Sequence, residues 1–187
     1  MPILSNLPDD TGWIDPDEVR RPVVTFGAAM PVDGTVAMDA HRHTKGQILF
    51  VERGALSCEV EGGLWIVPPH SAIWIPGGAL HAVKVTGGFE GFAAFVDPDV
   101  GRNLPAVCRA LSVTPLLREV LARTAHLPAF YEEGGANSRL VAVLLDELGA
   151  APVEDLHLPM PADARLRRIV DRLMAAPAGH ETMDVWA

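Results

Sequence analysis

The chain has 187 residues, 49% of them apolar, and a formal charge of -9. That length supports one substantial core with a small appendage rather than two full domains. The acidic balance argues against a surface built to grip phosphates, which needs a Lys or Arg beside each one. No apolar run is long enough to span a bilayer, and the opening stretch MPILSNLPDDTGWIDPDE carries acids where a secretory leader would carry bases and an apolar block. The expected setting is therefore the cytoplasm, without a membrane partner. Cys58 and Cys108 lie too far apart for a zinc-knuckle spacing, and in a reducing compartment they read as buried free thiols.

The first half of the chain is strand-like. VVTFGAAM (Val23 to Met30), GTVAMDAHRH (Gly34 to His43), QILFVERG (Gln47 to Gly54), ALSCEVEGG, LWIVPP, SAIWIPGG, HAVKVTGG and FEGFAAFVDP are short, rich in Val, Ile, Phe and Trp, and cut by Gly and Pro. Roughly eight strands joined by turns predict a jelly roll or a similar sandwich. From Asn103 the period changes. TPLLREVLARTAH predicts a helix over 114–126, with Thr114 as N-cap, Pro115 in the first turn, and Leu116, Leu117, Val120 and Leu121 as an apolar stripe. NSRLVAVLLDELG predicts a second, capped by Asn137 or Ser138 and stopped at Gly149, with Leu140, Val141, Leu144, Leu145 and Leu148 as its stripe. That stripe is wider than one helix lying on a jelly roll needs, so a helix from a second copy is expected to cover the remainder. The prolines of APVEDLHLPMP predict an extended linker, and a third helix starts at ADARLRRIVDRLMAAP.

The stretch HRHTKGQ carries the chemistry. Side chains alternate faces along a strand, so His41 and His43 point to one side, and Gln47 joins them if the strand stays regular through Gly46. Two imidazoles and an amide on one face invite a cation, for which PGGALH supplies a third ring, His81, after the Pro76-Gly77-Gly78 turn. Ligands from separate strands are required, because one strand offers a line of donors while coordination needs a cage. Neutral imidazoles suit a divalent transition metal such as Zn, Ni or Fe.

The order His41-x-His43-x-x-x-Gln47, then Gly54, then Pro76-x-Gly78-x-x-His81 resembles the two cupin motifs, in which two His, a Glu and a later His bind a metal inside a double-stranded β-helix. The sequence departs from that pattern at Gln47, which stands for the Glu, at His70, which stands for the glycine opening the second motif, and at Val85, which stands for an asparagine. Over its whole length the chain resembles the sensor half, linker and first residues of the DNA-binding half of an AraC-type transcriptional regulator. The segments that carry this likeness are HRHTKGQILFVERGALSCEVEGGLWIVPPHSAIWIPGGALHAV, LLDEL, LPMPADARLRRIVDRLMAAP and ETMDVWA.

The resemblance implies a mainly β fold, a cupin jelly roll followed by C-terminal α-helices. It divides the chain into an effector- and metal-binding barrel over 1–100, a helical dimerisation segment over 101–150, a linker over 151–162 and the start of a helix-turn-helix domain over 163–187. A homodimer that binds a small-molecule effector is implied, with DNA contacted only through the remainder of a C-terminal domain and by no residue of this chain. No catalytic residue is assigned.

Plainer readings stand beside these. The three histidines would otherwise be hydrogen-bonded polar residues on a barrel rim, and Gln47 either a ligand or a structural amide. His70, His126, His157 and His180 lack partners at useful spacing and read as surface or turn residues. Trp65 and Trp74 read as core. Arg165, Arg167, Arg168 and Arg172 read as a solvated helix face. A small metal-dependent cupin enzyme, an oxygenase or isomerase, is the alternative function. It is disfavoured because Lys45 and Glu52 are expected to face outward and Gln47 cannot shuttle protons.

Overall fold

The structure, a computed structural model, describes residues 14–60, 63–154, 157–159 and 163–175. Its strands are β1 (Val23–Met30), β2 (Thr35–His41), β3 (Gly46–Arg53), β4 (Leu56–Val60), β5 (Gly63–Val67), β6 (Ser71–Ile75), β7 (His81–Thr86), β8 (Phe89–Val96), β9 (Arg109–Ser112), β10 (Val153–Glu154) and β11 (His157–Pro159). Its helices are α1 (Pro115–Thr124), α2 (Ala136–Ala150) and α3 (Ala164–Ala175). The strands form a six-stranded sheet, β1-β8-β3-β6-β9-β10, and a five-stranded sheet, β11-β5-β4-β7-β2, with every pairing antiparallel. This is the mainly β, jelly-roll architecture expected, followed by helices. Among the described residues no helix is long and apolar enough to cross a membrane.

Strand period explains where the cores lie. Along β3, Ile48 and Phe50 face the helices and join Leu117, Leu121, Leu144 and Leu148, whereas Leu49 and Val51 face between the sheets and join Cys58, Trp65, Ile73, Ile75 and Val83. Trp65 and Trp74 are both core residues, on opposite sides of the barrel wall. Cys58 lies inside, where burial pushes its thiol up to about 12, whereas Cys108 is only partly covered; both are free. His70 and His126 are exposed residues in turns, as expected, and His70 takes a positive φ of 64°. The side chain of His157, and the whole of His180, lie outside the described residues.

α1 begins as its sequence predicts: the Thr114 hydroxyl accepts from the Leu117 N–H at 3.1 Å and donates to Glu147 on α2 at 3.2 Å. α2 differs from expectation at both ends. It starts at Ala136 after Gly135, without a side-chain cap; the Ser138 hydroxyl instead accepts from the Gly134 N–H at 2.9 Å. Gly149 lies inside the helix, which ends where Ala151 turns extended, because Pro152 disfavours a helical conformation in the residue before it.

The segment read as a linker is extended, but its described residues are paired: β10 continues the six-stranded sheet through β9, and β11 continues the five-stranded sheet through β5. Isolated hydrophobic runs flagged the first eight strands. β9, β10 and β11 are too short to carry such a signal and exist because an edge is available to them.

The α2 stripe is used within the chain. Val141, Leu144 and Leu148 are buried against α1 and the six-stranded sheet, and Leu140 and Leu145 pack at the border of the same cluster. Leu144 is 0% exposed and Val143, one position away on the other side of the helix, 40%. Replacing Leu144 by Ala is therefore expected to cost about 3–5 kcal/mol, and Val143 by Ala less than about 1 kcal/mol, in urea unfolding.

Candidate metal centre

The expectation that His41, His43 and Gln47 share the face of one strand is corrected by the structure. β2 ends at His41, after a register shift between Met38 and His41, and β3 begins only at Gly46, so His43 sits in the connection between them. The four side chains nevertheless converge, and they do so from both sheets. His41 and His81 are cross-strand partners of β2 and β7 in the five-stranded sheet. Gln47 belongs to β3 of the other sheet, in register with Leu49 and Val51, and so faces between the sheets.

The Pro76-Gly77-Gly78 turn brings these pieces together. A Cβ on Gly77 would lie 2.1 Å from the Thr44 carbonyl oxygen, so only glycine permits the turn to rest on the backbone that carries His43. Gly78, at a φ of 83°, then donates its N–H to the His43 carbonyl at 2.8 Å.

The ring orientations follow from three hydrogen bonds. Nδ1 of His41 meets the Asp39 carbonyl at 2.7 Å, Nδ1 of His43 the Lys45 carbonyl at 2.5 Å, and Nδ1 of His81 the Ala79 carbonyl at 2.9 Å. A carbonyl oxygen only accepts, so each Nδ1 carries the proton and each neutral ring has its lone pair on Nε2. The ring centroids of His41 and His81 are 4.3 Å apart, and those of His43 and His81 5.0 Å. One ligand nitrogen from each of the three lies within 4.8 Å of the others.

His81 is 1% exposed, and its Nε2 is buried without a hydrogen-bond partner. Burial, reinforced by the two neighbouring rings against the pull of the Ala79 carbonyl, pushes its pKa down to about 4. An uncharged ring with an unshared, buried lone pair is what a divalent transition cation requires of a ligand. The Gln47 carboxamide lies 3.1 Å from Nε2 of His43; because that nitrogen carries no proton it accepts, and the amide presents its NH2 there as the donor.

Sequence reasoning missed the groups that hold the His43 connection in place. Lys45, expected to face outward, is 3% exposed, and its ammonium donates to the Val19 and Arg21 carbonyls, each at 2.7 Å. Burial holds that ammonium below the usual lysine range, against the attraction of Asp97 and Asp17. Asp17 accepts from the Thr44 N–H at 2.7 Å and the Lys45 N–H at 3.1 Å. Burial alone would raise the Asp17 carboxyl, but these backbone bonds bring it below its ordinary value.

The segment preceding β1 is thus fastened to the residues around His43, a contact of chain separation 27 with no local sequence signal. Glu52 is also engaged elsewhere: it grips the Arg118 guanidinium on α1 through both oxygens, which holds its carboxyl below the usual range. Neither acid–base candidate faces the three rings.

Because the His81 pKa in the folded chain lies below the ordinary value of 6.5, the unfolded chain binds more protons between these limits. The contribution of His81 to stability is complete above pH 6.5 and is lost as the pH falls toward 4. In chelator-treated protein, urea unfolding across that window is expected to lose roughly 3 kcal/mol more than in His81→Leu, which has nothing to protonate there. Parallel pH profiles would contradict it.

Comparison with known proteins agrees with this architecture. Residues 33–176 match the family described as the AraC-like ligand binding domain. The HTH-type transcriptional regulator NimR of Escherichia coli (strain K12) is 33% identical over 173 residues, which are 92% of this chain and 63% of NimR. The chain thus spans less than two thirds of that relative's length. Among solved structures, the AraC-like transcriptional activator CuxR superposes with a TM-score of 0.53 at 12% identity, over 88% of this chain and 65% of CuxR. Apo ToxT from Vibrio cholerae strain SCE256 superposes with a TM-score of 0.50 at 6% identity, over 89% of this chain and 69% of ToxT. At such identities the likeness to these two is one of fold. With three quarters of its residues inside the family match and a jelly roll followed by helices as its fold, the chain belongs to the AraC-like ligand-binding domain family.

Proposed function

We propose that this chain is the effector-sensing part of a bacterial AraC-type regulator and that its sensing centre is a divalent transition-metal site held by His41, His43 and His81, with Gln47 beside it. The observation that carries the reading is the buried, unpartnered Nε2 of His81, set among two more imidazoles whose Nδ1 protons are already committed to carbonyls. Three neutral imidazoles suit Zn, Ni or Fe, and the bound ion would supply Lewis acidity. DNA recognition would belong to the part of the regulator not contained in this chain, whose own charge of -9 disfavours phosphate.

The charge of the donor set selects the effector class. Three imidazoles and an amide are all neutral, so the donors themselves leave the double positive charge of a bound ion without compensation in a low-dielectric barrel, and the nearby Asp17 and Asp97 are matched by the buried ammonium of Lys45. An effector with an anionic oxygen, a carboxylate or enolate, supplies what a Glu at position 47 would otherwise have provided.

Elemental analysis is expected to find close to one divalent transition metal per chain after incubation with Zn or Ni, and none in a His41→Ala, His81→Ala variant. In calorimetry, small carboxylates are expected to bind metal-loaded protein more tightly than its Gln47→Glu form by roughly tenfold. Equal affinities would refute the role given to Gln47.

Self-association completes the reading. The α2 stripe is spent inside the chain, but Leu116 on α1 and Val143 on α2 remain substantially exposed, apolar surface that a second copy would cover. Sedimentation at roughly tens of micromolar is expected to give a homodimer. A monomer at that concentration would remove it from the proposal.

A further inference from the structure

Where the helical layer meets β1, the contact encloses a small cavity of about 10 Å3. Val23 and Thr25 line it from the sheet, Thr124 from the end of α1, Tyr131 from the connection between the helices, and Val141 from α2. Side chains alternate along β1, so Thr25 lies on the same face as Val23, which belongs to the core on the helical side of the sheet.

Three hydroxyls meet in this otherwise apolar contact. Thr25 is 6% exposed, and Thr124 and Tyr131 are each 3% exposed. Oγ1 of Thr25 and the phenol oxygen of Tyr131 are buried without a hydrogen-bond partner. Burial, against the pull of the Val23 amide, holds the Tyr131 phenol above its ordinary pKa, so the group keeps its proton and is a donor. The ring is also pinned from outside: Arg21 donates from Nε to the Tyr131 carbonyl at 2.7 Å, and its guanidinium stands 5.7 Å from the ring centroid. Leaving a buried donor unpaired costs a protein roughly tenfold or more in its folding equilibrium.

The chemistry of the lining selects an occupant. Thr124 donates its hydroxyl proton to the Leu121 carbonyl at 2.9 Å, so it offers the cavity only lone pairs. An occupant must therefore accept from Thr25 and Tyr131 and donate to Thr124. An anion has no proton to donate, and a cation would find no carboxylate among the lining residues to balance it. The volume admits about one water-sized group.

We infer that this cavity is a binding site for one ordered water molecule, which accepts from Thr25 and Tyr131 and donates to Thr124. Three protein partners are about the usual number for a buried water. The water joins β1 to the end of α1 and to the connection that follows it, and so seats the helical layer on the sheet at a point where apolar packing leaves polar groups behind. Arg21 holds the same connection from the other side, while its own carbonyl receives the Lys45 ammonium at 2.7 Å. Neither the three histidines nor a metal takes part.

The test uses Thr25→Val and Tyr131→Phe, which each remove one donor and keep the shape of the side chain. In urea unfolding of the full chain, each is expected to lower the folding equilibrium constant roughly tenfold. The double variant is expected to lose clearly less than the product of the two, about a hundredfold, because the second donor no longer has a bridging water to lose. In the native chain, water–protein NOE spectra are expected to show transfer from a long-lived water to the Thr25 methyl group, and in Tyr131→Phe that signal should vanish.

Variants as stable as the native chain, or more stable, would overturn the inference, since they would mean that the hydroxyls border a dry space. Native spectra without the water signal would overturn it too. A stability loss that appears only when chloride is present would replace water by an anion as the occupant.

Discussion

The structure depends on β3 being buried on both faces. Ile48 and Phe50 tie the strand to the helical layer, while Leu49 and Val51 tie it to the space between the sheets. A strand that serves two cores cannot slip by one residue without exchanging both sets of contacts, so its register is strongly specified. Gln47 inherits that register: it is the first inward position of the strand, where the core gives way to polar groups, and its neighbours in the ladders are Ile75 and Phe95. The placement of an amide beside three imidazoles is thus a consequence of hydrophobic packing elsewhere along the same strand.

The polar end of the barrel is organised by groups that do not face its centre. Carbonyls of Asp39, Lys45 and Ala79 accept from the Nδ1 protons of the three rings and thereby determine that each lone pair lies on Nε2. Asp17 and Lys45 then tie the connection carrying His43 to the segment before β1. The buried ammonium of Lys45 donates to backbone oxygens, and the charges of Asp97 and Asp17 offset part of the cost of burying it. The result is a set of neutral donors whose rings are oriented by the backbone around them.

The helical layer and the C-terminal segment relate to this sheet framework differently. α1 and α2 bury wide apolar faces on the six-stranded sheet and are fastened further by the Glu52–Arg118 and Thr114–Glu147 contacts. Among the described residues, β11 adds to the edge of the other sheet and Arg167 of α3 pairs with Glu59 on it.

Much of this was legible in order of residues. Period-2 runs cut by Gly and Pro marked the first eight strands, Thr114-Pro115 marked the start of α1, and the spacing of His41, His43 and His81 marked three side chains that the fold brings together. These signals are local, or are motifs whose turn residues carry their own conformational requirement. The cap and end of α2 were misplaced because Gly135 and Ala151 act through backbone conformation rather than through a recognisable capping side chain.

Lys45 was misread as outward because solvation is its default, and only partners 24 and 26 residues away make burial tolerable. By itself the sequence determined which segments are strands and helices and which residue types are available for a cation. Tertiary structure alone decided that His43 leaves the strand, that Gln47 approaches from the second sheet, that His81 loses its water, and that 157–159 become a strand. Each of those outcomes depends on a neighbour distant in the chain, and period and spacing carry no record of such neighbours.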